Sequence, residues 1–324
     1  MPVSRRPAPY LGRMETPPVD DLQVPEGHRS GYINIIGRPN VGKSTLMNAL
    51  VGERMSIITN KPQTTRHRII GILSGDHFQM VFSDTPGIIA EPQYKMQEAM
   101  NKFVATTYQD ADIMLFVTEV GETYADDDPI LERLRKVDVP LFLIINKIDT
   151  VDDTKVLPLI QLWQSRADFK ETFPVSALRK TNVSKLFHTL KAYLPEGPAY
   201  YPKDQLTDKP ERFFVSEIIR EQILELYHQE VPYSTEVAVE SFKETETKSG
   251  QPLVRITALI FVSRQTQKPI IIGKQGRAIK KLGTEARQRI ERWLKKKVFL
   301  ELHVKVKDGW RDDEQMMKQF GYRE

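Results

Sequence analysis

A glycine-rich segment followed by lysine and serine lies early in the chain and has the spacing of a phosphate-binding loop. Its glycines let the backbone curl so that successive N–H groups point at phosphate oxygens, and the N-terminus of the following helix adds partial positive charge. In such a loop the lysine reaches the β- and γ-phosphates of a nucleotide, and the serine hydroxyl is a ligand for Mg²⁺. The residues predicted to hold the nucleotide here are Gly37, Arg38, Pro39, Asn40, Val41, Gly42, Lys43, Ser44 and Thr45.

A second candidate segment, Asp84-Thr85-Pro86-Gly87, stands at the end of a later apolar strand. A carboxylate at this place holds Mg²⁺ through water, and the glycine amide donates to the γ-phosphate and so senses its loss. All four residues are therefore expected at the nucleotide: Asp84, Thr85, Pro86 and Gly87.

Between these two segments lies Gln63-Thr64-Thr65-Arg66, where a threonine hydroxyl could close over the metal in the triphosphate state. We favour Thr65 for this role, with Thr64 as the alternative; a polar surface loop would explain the same composition. The predicted Mg²⁺ ligands are Ser44, Thr65 and Asp84. The residues expected to act in hydrolysis are Lys43, Thr65 and Gly87.

A third segment, Asn146-Lys147-Ile148-Asp149, is expected to read the base. The Asp149 carboxylate can accept hydrogen bonds from N1–H and the 2-amino group of guanine, whereas adenine would leave this charge unpaired. Asn146 offers amide contacts to the base or to the phosphate loop, and the Lys147 stem can cover the ring face. Further on, Ser176-Ala177-Leu178 offers a backbone N–H, that of Ala177, to the guanine oxygen. The sequence therefore predicts GTP and GDP as ligands.

These segments follow short apolar runs that alternate with longer amphipathic stretches. Such alternation predicts a mostly parallel sheet with helices on both faces, where ligands bind at the carboxyl ends of the strands. The predicted strands are 32–36, 79–82, 113–117, 141–145 and 172–175, and the predicted helices are 43–51, 94–108, 128–136, 157–166 and 183–193.

The pattern changes after residue 210 and predicts a smaller α+β unit. Its elements are a helix, two strands, a helical region with a long helix, and an alternating strand, at 214–229, 235–242, 254–262, 277–297 and 298–307. Within 264–307 there are 14 basic and three acidic residues, an excess of +11 that favours an anionic partner such as nucleic acid over a merely solvated face.

Inside this basic region, a Gly-x-x-Gly loop stands between an apolar run and a basic helix. The glycines remove side-chain bulk so that the loop can pack closely against a nucleic-acid backbone, while Lys274 and Arg277 meet phosphates. The predicted RNA contacts are Ile272, Gly273, Lys274, Gln275, Gly276, Arg277 and Lys280.

The motifs Gly-Arg-Pro-Asn-Val-Gly-Lys-Ser, Gln-Thr-Thr-Arg-His-Arg, Asp-Thr-Pro-Gly and Asn-Lys-Ile-Asp together resemble the Era family of GTPases, and the Gly-x-x-Gly region looks like a type II KH domain. The resemblance implies an α/β Ras-like P-loop GTPase domain, with a six-stranded sheet that has one antiparallel strand, followed by an α+β type II KH domain. It also implies GTP hydrolysis with Mg²⁺, binding to the 3′ end of small-subunit ribosomal RNA, and assistance in 30S subunit assembly.

The expected organisation is a disordered tail at 1–28, a GTPase domain at 29–195, a linker at 196–210 and a KH domain at 211–324. The absence of cysteine excludes disulfides, thiolate metal sites and cysteine nucleophiles. No apolar run approaches the ~18 residues of a membrane span. A cytoplasmic protein is therefore expected, with weak peripheral association with the inner face of the cell membrane as a secondary expectation and no DNA partner.

Two alternatives come from other functional classes. A GTPase that serves RNA modification would need a catalytic or cofactor domain, for which the sequence offers no plausible centre. A membrane-coupled signalling GTPase would use the basic C-terminal face on anionic lipids, but the sequence has no lipidation motif.

Two residues bear on the hydrolysis rate. Ile88 follows Gly87, where Ras-like proteins often carry a glutamine that positions water, so slow intrinsic turnover is expected unless another group helps. Packing of Ile88 away from the nucleotide is equally compatible with the sequence. Asn40 offers a side-chain oxygen to K⁺ between the phosphates, as related GTPases with asparagine in this loop position do. Capping of the loop backbone by Asn40 is the alternative.

Overall fold

A mostly parallel sheet with helices on both faces forms the first half of the protein, for which we use a computed structural model that describes residues 24–89, 91–247 and 249–322. Its strands are β1 (Arg29–Ile36), β2 (Ile69–Gly75), β3 (Phe78–Asp84), β4 (Ile113–Glu119), β5 (Leu141–Asn146) and β6 (Glu171–Pro174). Its helices are α1 (Lys43–Val51), α2 (Lys95–Thr107), α3 (Pro129–Leu134), α4 (Val156–Gln164) and α5 (Val183–Tyr193).

The six strands lie in the order β2-β3-β1-β4-β5-β6, and only the β2–β3 pair is antiparallel. This confirms the Ras-like arrangement implied by the motifs. The apolar pattern alone does not single out β2, because Gly71 and Gly75 interrupt it and β2 is an edge strand.

The central strands are buried on both faces, which is why they appear in the sequence as continuous apolar runs. Leu46 of α1 and Leu186 of α5 pack on one face of the sheet. Leu131 of α3 and Trp163 of α4 pack on the other. These two cores hold the carboxyl ends of β1, β3 and β5, and therefore the three candidate segments, at one edge of the sheet.

The segment predicted as a linker, 196–210, runs along this first unit. The buried side chain of Gln79 on β3 donates to the Tyr201 carbonyl oxygen at 2.8 Å and accepts from the Tyr200 and Tyr201 amides. The Ile72 amide of the edge strand donates to the Leu206 carbonyl oxygen at 2.8 Å. The segment thus covers a strand edge that would otherwise present unpaired backbone groups.

The predicted disordered tail lies outside the described residues up to position 23. His28, the last residue of the predicted tail 1–28, is described and buried. Its Nδ1 lies 2.9 Å from the Gly197 carbonyl oxygen. His28 therefore packs against the start of the linker segment.

The second unit is an α+β fold with one helix layer on a three-stranded sheet. The sheet order is β7-β8-β9, with β7 and β8 antiparallel and β8 and β9 parallel. Ile219 of the first helix and Leu282 of the long helix pack in its core. The elements are α6 (Glu211–Leu226), β7 (Thr235–Glu246), β8 (Pro252–Val262), α7 (Gln267–Ile272), α8 (Arg277–Leu294), β9 (Lys297–Val306) and α9 (Glu314–Gln319).

The predicted helix-strand-strand-helix-strand order is confirmed, with shifted bounds. The first helix spans Glu211–Leu226 instead of 214–229, because the backbone at Tyr227 is extended. The apolar run before the Gly-x-x-Gly loop is the end of α7. Helix α8 ends at Leu294 instead of residue 297, because Lys295 has the left-handed backbone angle φ = 55° and breaks the helical hydrogen-bond pattern.

The two units are in contact through a shared apolar cluster. Met96 and Met100 of α2 pack with Phe261 of β8 and with Met317 and Tyr322 of the C-terminal segment. Within the described ranges, no helix combines the length and apolar character needed to cross a membrane.

Candidate nucleotide and RNA sites

The phosphate-binding segment forms the turn between β1 and α1, and two of its glycines leave no room for a side chain. A Cβ on Gly37 would lie 2.2 Å from the Val117 carbonyl oxygen, and a Cβ on Gly42 would lie 2.2 Å from Asn146 Nδ2. Gly42 also has φ = +96°, which L side chains rarely adopt. The loop is therefore pressed against β4 and β5, with its backbone amides free of side-chain bulk.

Lys43, at the start of α1, is buried inside the curl of this loop. Its Nζ donates to the carbonyl oxygens of Gly37 at 3.0 Å and Arg38 at 2.8 Å. Burial lowers the pKa of Lys43 to about 8, although Asp84 and Glu122 act in the opposite direction. The ammonium group is thus held where the β- and γ-phosphates are expected.

The three predicted metal ligands converge beside Lys43. Ser44 Oγ lies 2.6 Å from Asp84 Oδ2 and 2.9 Å from Thr65 Oγ1. Asp84 is buried, and its second oxygen, Oδ1, has no hydrogen-bond donor in the part of the chain that the structure describes. Burial raises the pKa of Asp84, against the lowering effect of Lys43. A carboxylate with an unused oxygen beside two hydroxyls is an oxygen donor set that fits Mg²⁺.

Of the two candidate threonines, Thr65 has its hydroxyl beside Ser44 and Asp84. The hydroxyl of Thr64 is engaged elsewhere in the loop, 2.7 Å from Thr59 Oγ1 and 2.6 Å from the Lys61 carbonyl oxygen. The Thr65 hydroxyl instead faces Ser44 and lies 3.4 Å from Asp84 Oδ2.

The segment after β3 packs directly on the phosphate loop. A Cβ on Gly87 would lie 2.6 Å from Pro39 Cγ and 2.8 Å from its backbone, so only glycine allows this approach. Thr85 is buried and donates to the Ile35 carbonyl oxygen at 2.9 Å, and Pro86 is also buried. Ile88 is partly buried and packs against the apolar core that includes Phe116 and Leu131.

On the base side, Asn146 ties the guanine-reading segment to its neighbours. Its Nδ2 donates to the Val41 carbonyl oxygen at 2.8 Å, and its Oδ1 accepts from the Ala177 amide at 3.0 Å. Asn146 thus contacts the phosphate loop, one of its two predicted roles. The Ala177 amide, predicted to face the guanine oxygen, donates to Asn146 in this structure.

Asp149 and Leu178 are exposed at this end of the sheet, with Leu178 at 75% exposure, and Ser176 is buried beneath them. The exposed positions leave a rim on which a base can lie. Of the remaining predicted residues, Val41 is buried and Thr45 half-buried on the first turn of α1.

Two charged residues near the nucleotide act in ways that the motifs do not predict. The Arg38 side chain pairs with Asp128 at 2.5 Å and donates to the Thr123 carbonyl oxygen at 2.9 Å, so its guanidinium is engaged by the segment before α3. Glu119 at the end of β4 forms an ion pair with Lys147 and so fixes the lysine whose stem is expected over the base. The sequence marks Glu119 only by its position at the end of an apolar strand, and this position does not predict the ion pair.

The predicted RNA-binding loop links α7 to α8 and combines one crowded glycine with one open glycine. A Cβ on Gly273 would lie 2.5 Å from the Ala278 Cβ, whereas a Cβ on Gly276 would meet nothing within 4 Å. Lys274, Gln275, Arg277 and Lys280 are exposed, and Ile272 is half-buried. The loop therefore presents bare backbone at Gly276 between exposed cations.

These two sites define a class of protein, a P-loop GTPase joined to a KH domain. A family model described as "50S ribosome-binding GTPase" matches residues 32–147, and one described as "KH domain" matches residues 230–311.

Whole-chain relatives narrow the class. The protein is 46% identical to the GTPase Era of Syntrophus aciditrophicus, over 91% of this chain and 96% of that protein. It is also 46% identical to the GTPase Era of Clostridium kluyveri, over 91% of this chain and 99% of that protein. The chain belongs to the Era family of GTPases.

Two solved Era structures have the same fold. A variant of Aquifex aeolicus Era bound to GDP and AlF4⁻ superposes with a TM-score of 0.85 at 36% identity, covering 91% of this chain and all of that chain. An Era complex with MgGDPNP and nucleotides 1506–1542 of 16S ribosomal RNA has the same score and identity, covering 92% of this chain and all of that one.

Proposed function

We propose that this protein hydrolyses GTP with Mg²⁺, binds the 3′ end of small-subunit ribosomal RNA through its KH domain, and assists assembly of the 30S subunit. The observation that carries the RNA part is the loop from Gly273 to Gly276, which exposes bare backbone between Lys274 and Arg277. The Era complex with 16S ribosomal RNA nucleotides supports the identity of the RNA.

The nucleotide site supports the hydrolytic part. Lys43 is held beside the loop carbonyl oxygens, so its ammonium can offset negative charge on the β- and γ-phosphates. Gly87 lies close against Pro39 of the phosphate loop, which supports a role for its amide as a donor to the γ-phosphate. Mg²⁺ would be held by Ser44, Thr65 and Asp84. When bound, it would neutralise negative charge on the β- and γ-phosphates.

The RNA assignment is tested at Gly276, because a side chain there meets open space. Gly276→Asp places a negative charge where a phosphate is expected, and we expect affinity for a single-stranded 16S 3′-end RNA to fall at least about tenfold. Gly276→Asn is the matched control, since asparagine has nearly the same size and tolerates positive φ without adding charge. Equal RNA affinity of the aspartate variant and the wild type, measured by titration at fixed salt, would contradict the proposal.

The charge of the second unit also bears on the binding partners and the cellular location of the protein. The excess of +11 in 264–307 favours RNA, and we propose no DNA partner and a cytoplasmic location. A weak peripheral association with the inner face of the membrane is the second candidate, through the same basic surface acting on anionic lipids. Co-sedimentation with small subunits and, in parallel, with anionic vesicles separates the two.

A further inference from the structure

The loop that carries Thr65 is bonded to the KH domain immediately before that residue. The guanidinium of Arg220 on α6 donates from Nη2 to the Thr64 carbonyl oxygen, and Nη1 lies 3.5 Å from the Gln63 carbonyl oxygen. Arg220 is 1% exposed, so this contact between a charged donor and backbone oxygens is shielded from water. Such charge-assisted bonds are among the stronger hydrogen bonds in proteins.

Glu217, one turn earlier on α6, sets the direction of that guanidinium. Its Oε1 accepts from Arg220 Nε at 2.8 Å and its Oε2 from Nη2 at 2.6 Å. Two parallel bonds fix a planar guanidinium in orientation as well as in position. The carboxylate is also buried, which removes competition from solvent.

The KH domain holds the loop immediately after Thr65 as well. Arg66 is fully buried and donates to the carbonyl oxygens of Thr235 at 2.7 Å and Pro232 at 3.1 Å, and to Glu236 at 3.1 Å. Thr65 therefore lies between two residues that are both anchored in the other domain, while its own hydroxyl faces Ser44.

We propose that Arg220, oriented by Glu217, is a positioning residue for GTP hydrolysis that the KH domain supplies to the nucleotide site. By holding the Thr64 carbonyl it keeps the Thr65 hydroxyl at the metal-binding oxygens. This inference rests on the proposed GTPase function. The buried Arg220–Glu217 ion pair thus connects occupancy of the nucleotide site to the helix layer of the RNA-binding domain.

A positioning role of Arg220 should affect binding of a GTP analogue and of GDP differently. The threonine of this loop contacts the metal only when a γ-phosphate is present, whereas GDP is held by the phosphate loop and the base-reading segment. Loss of Arg220 should therefore weaken binding of a GTP analogue and leave GDP binding unchanged. A merely structural role would weaken both equally.

The main test uses the double variant R220Q/E217Q in the full-length protein. It replaces both buried charges by amides, since removing Arg220 alone would leave the Glu217 carboxylate buried without its ion-pair partner. We expect MgGDPNP to dissociate at least about tenfold faster, because the charge-assisted anchor of the loop is lost. The dissociation rate of GDP should stay within twofold, or about 0.4 kcal/mol, of the wild type.

Three further variants sharpen the result. E217Q keeps the guanidinium charge but loosens its direction, so an intermediate effect is expected, and it provides the test if the double variant does not fold. R220K keeps a charged donor and should retain most of the wild-type behaviour. R287Q is the control on α8, because Arg287 pairs with Glu291 one turn later on the same helix.

Amide hydrogen exchange at residues 63–66 with MgGDPNP bound gives a second readout, and the exchange rate is expected to rise in R220Q/E217Q and not in R287Q. Equal loss of GDP and GDPNP binding, or no loss of either, overturns the inference. Absence of GTP hydrolysis in the wild-type protein overturns the proposed function instead, so the two failures are distinguishable.

Discussion

Asp149 lies exposed on the turn after β5, so a substitution there changes the base contact without disturbing the core. Asn146, at the end of β5, bonds both the phosphate loop and the Ala177 amide. At the scale of single residues, the group proposed to select the base is therefore distinct from the group that holds the neighbouring segments together.

Asp149→Asn should exchange guanine for xanthine, because an amide can donate to the 2-oxo group of xanthine but no longer accepts from both guanine donors. We expect GTP affinity to fall by about a hundredfold and xanthosine triphosphate to be bound instead. Competition binding with the two nucleotides measures this. Asp152→Asn, at an exposed position three residues on, is the control that should leave the preference unchanged; unchanged GTP affinity in the Asp149 variant would exclude it from the site.

Asn40 is the residue on which a potassium effect depends. It has φ = 66° in the phosphate loop, and its Nδ2 donates to the Asn60 carbonyl oxygen at 3.3 Å, so the amide is oriented toward the Thr65 loop. If its oxygen binds K⁺ beside the phosphates, hydrolysis should be several-fold faster in K⁺ than in Na⁺ at equal ionic strength.

The measurement is the GTP hydrolysis rate in the two salts at constant Mg²⁺. Asn40→Ala should abolish the difference and keep nucleotide affinity largely intact. Identical wild-type rates in K⁺ and Na⁺ would discard the idea and leave Asn40 as a backbone cap.

At the scale of elements, the segment 196–210 behaves as part of the first unit. The side chain of Gln79 on β3 forms three hydrogen bonds with backbone atoms of this segment, at Tyr200 and Tyr201. The stability of the edge strand β2 therefore depends on residues that follow the last helix of the sheet.

Gln79→Leu should detach this segment, because the Tyr201 carbonyl and two amides would lose their partners while the leucine remains sterically acceptable. We expect a loss of about 3 kcal/mol in the free energy of unfolding and faster hydrogen exchange at Ile72. Ser74→Ala is the control, since it removes only the 3.0 Å bond to Gln79. Unchanged exchange at Ile72 would show that the segment is held by other contacts.

Elements with strong local signals could be predicted from the sequence, and those set by distant partners could not. Helix α5 matches its predicted range, 183–193, because its apolar face repeats at the helical period. Strand β2 contains two glycines and is held by β3 and by a segment about 130 residues later, which no local pattern reports. The same holds in the site: Lys43, Ser44 and Asp84 belong to ordered motifs, whereas Arg220 belongs to none.

At the scale of the whole molecule, the two domains meet around a buried histidine. His67 stacks on Tyr322 with ring centroids 4.5 Å apart. Burial lowers its pKa to about 4, with Glu217 and Glu236 opposing this and Arg220 and Lys209 adding to it. The folded protein thus holds His67 neutral, whereas the unfolded chain binds a proton near pH 6.5.

Because protonation favours the unfolded state, this contribution to stability is fully present above about pH 6.5 and is lost as the pH falls toward 4. We expect the free energy of unfolding to drop by up to roughly 2 kcal/mol between pH 6.5 and 5. Urea denaturation of the wild type and of His67→Phe at both pH values tests this, since the phenylalanine variant has no proton to bind. His303→Phe, on the exposed face of β9, should keep the wild-type dependence; a full pH response in His67→Phe would assign the effect elsewhere.

The contacts that hold Thr64 and Arg66 have a consequence for the order in which the newly made chain matures. Arg220 follows Thr64 by 156 residues, and Tyr322, against which His67 stacks, follows His67 by 255 residues. At synthesis rates of about 5–20 residues per second, the last base-reading residue, Leu178, is made roughly 2 to 8 seconds before Arg220, the residue that anchors the Thr65 loop. A nascent chain can thus hold GDP early, but it acquires a fixed Thr65 only after the RNA-binding domain has emerged.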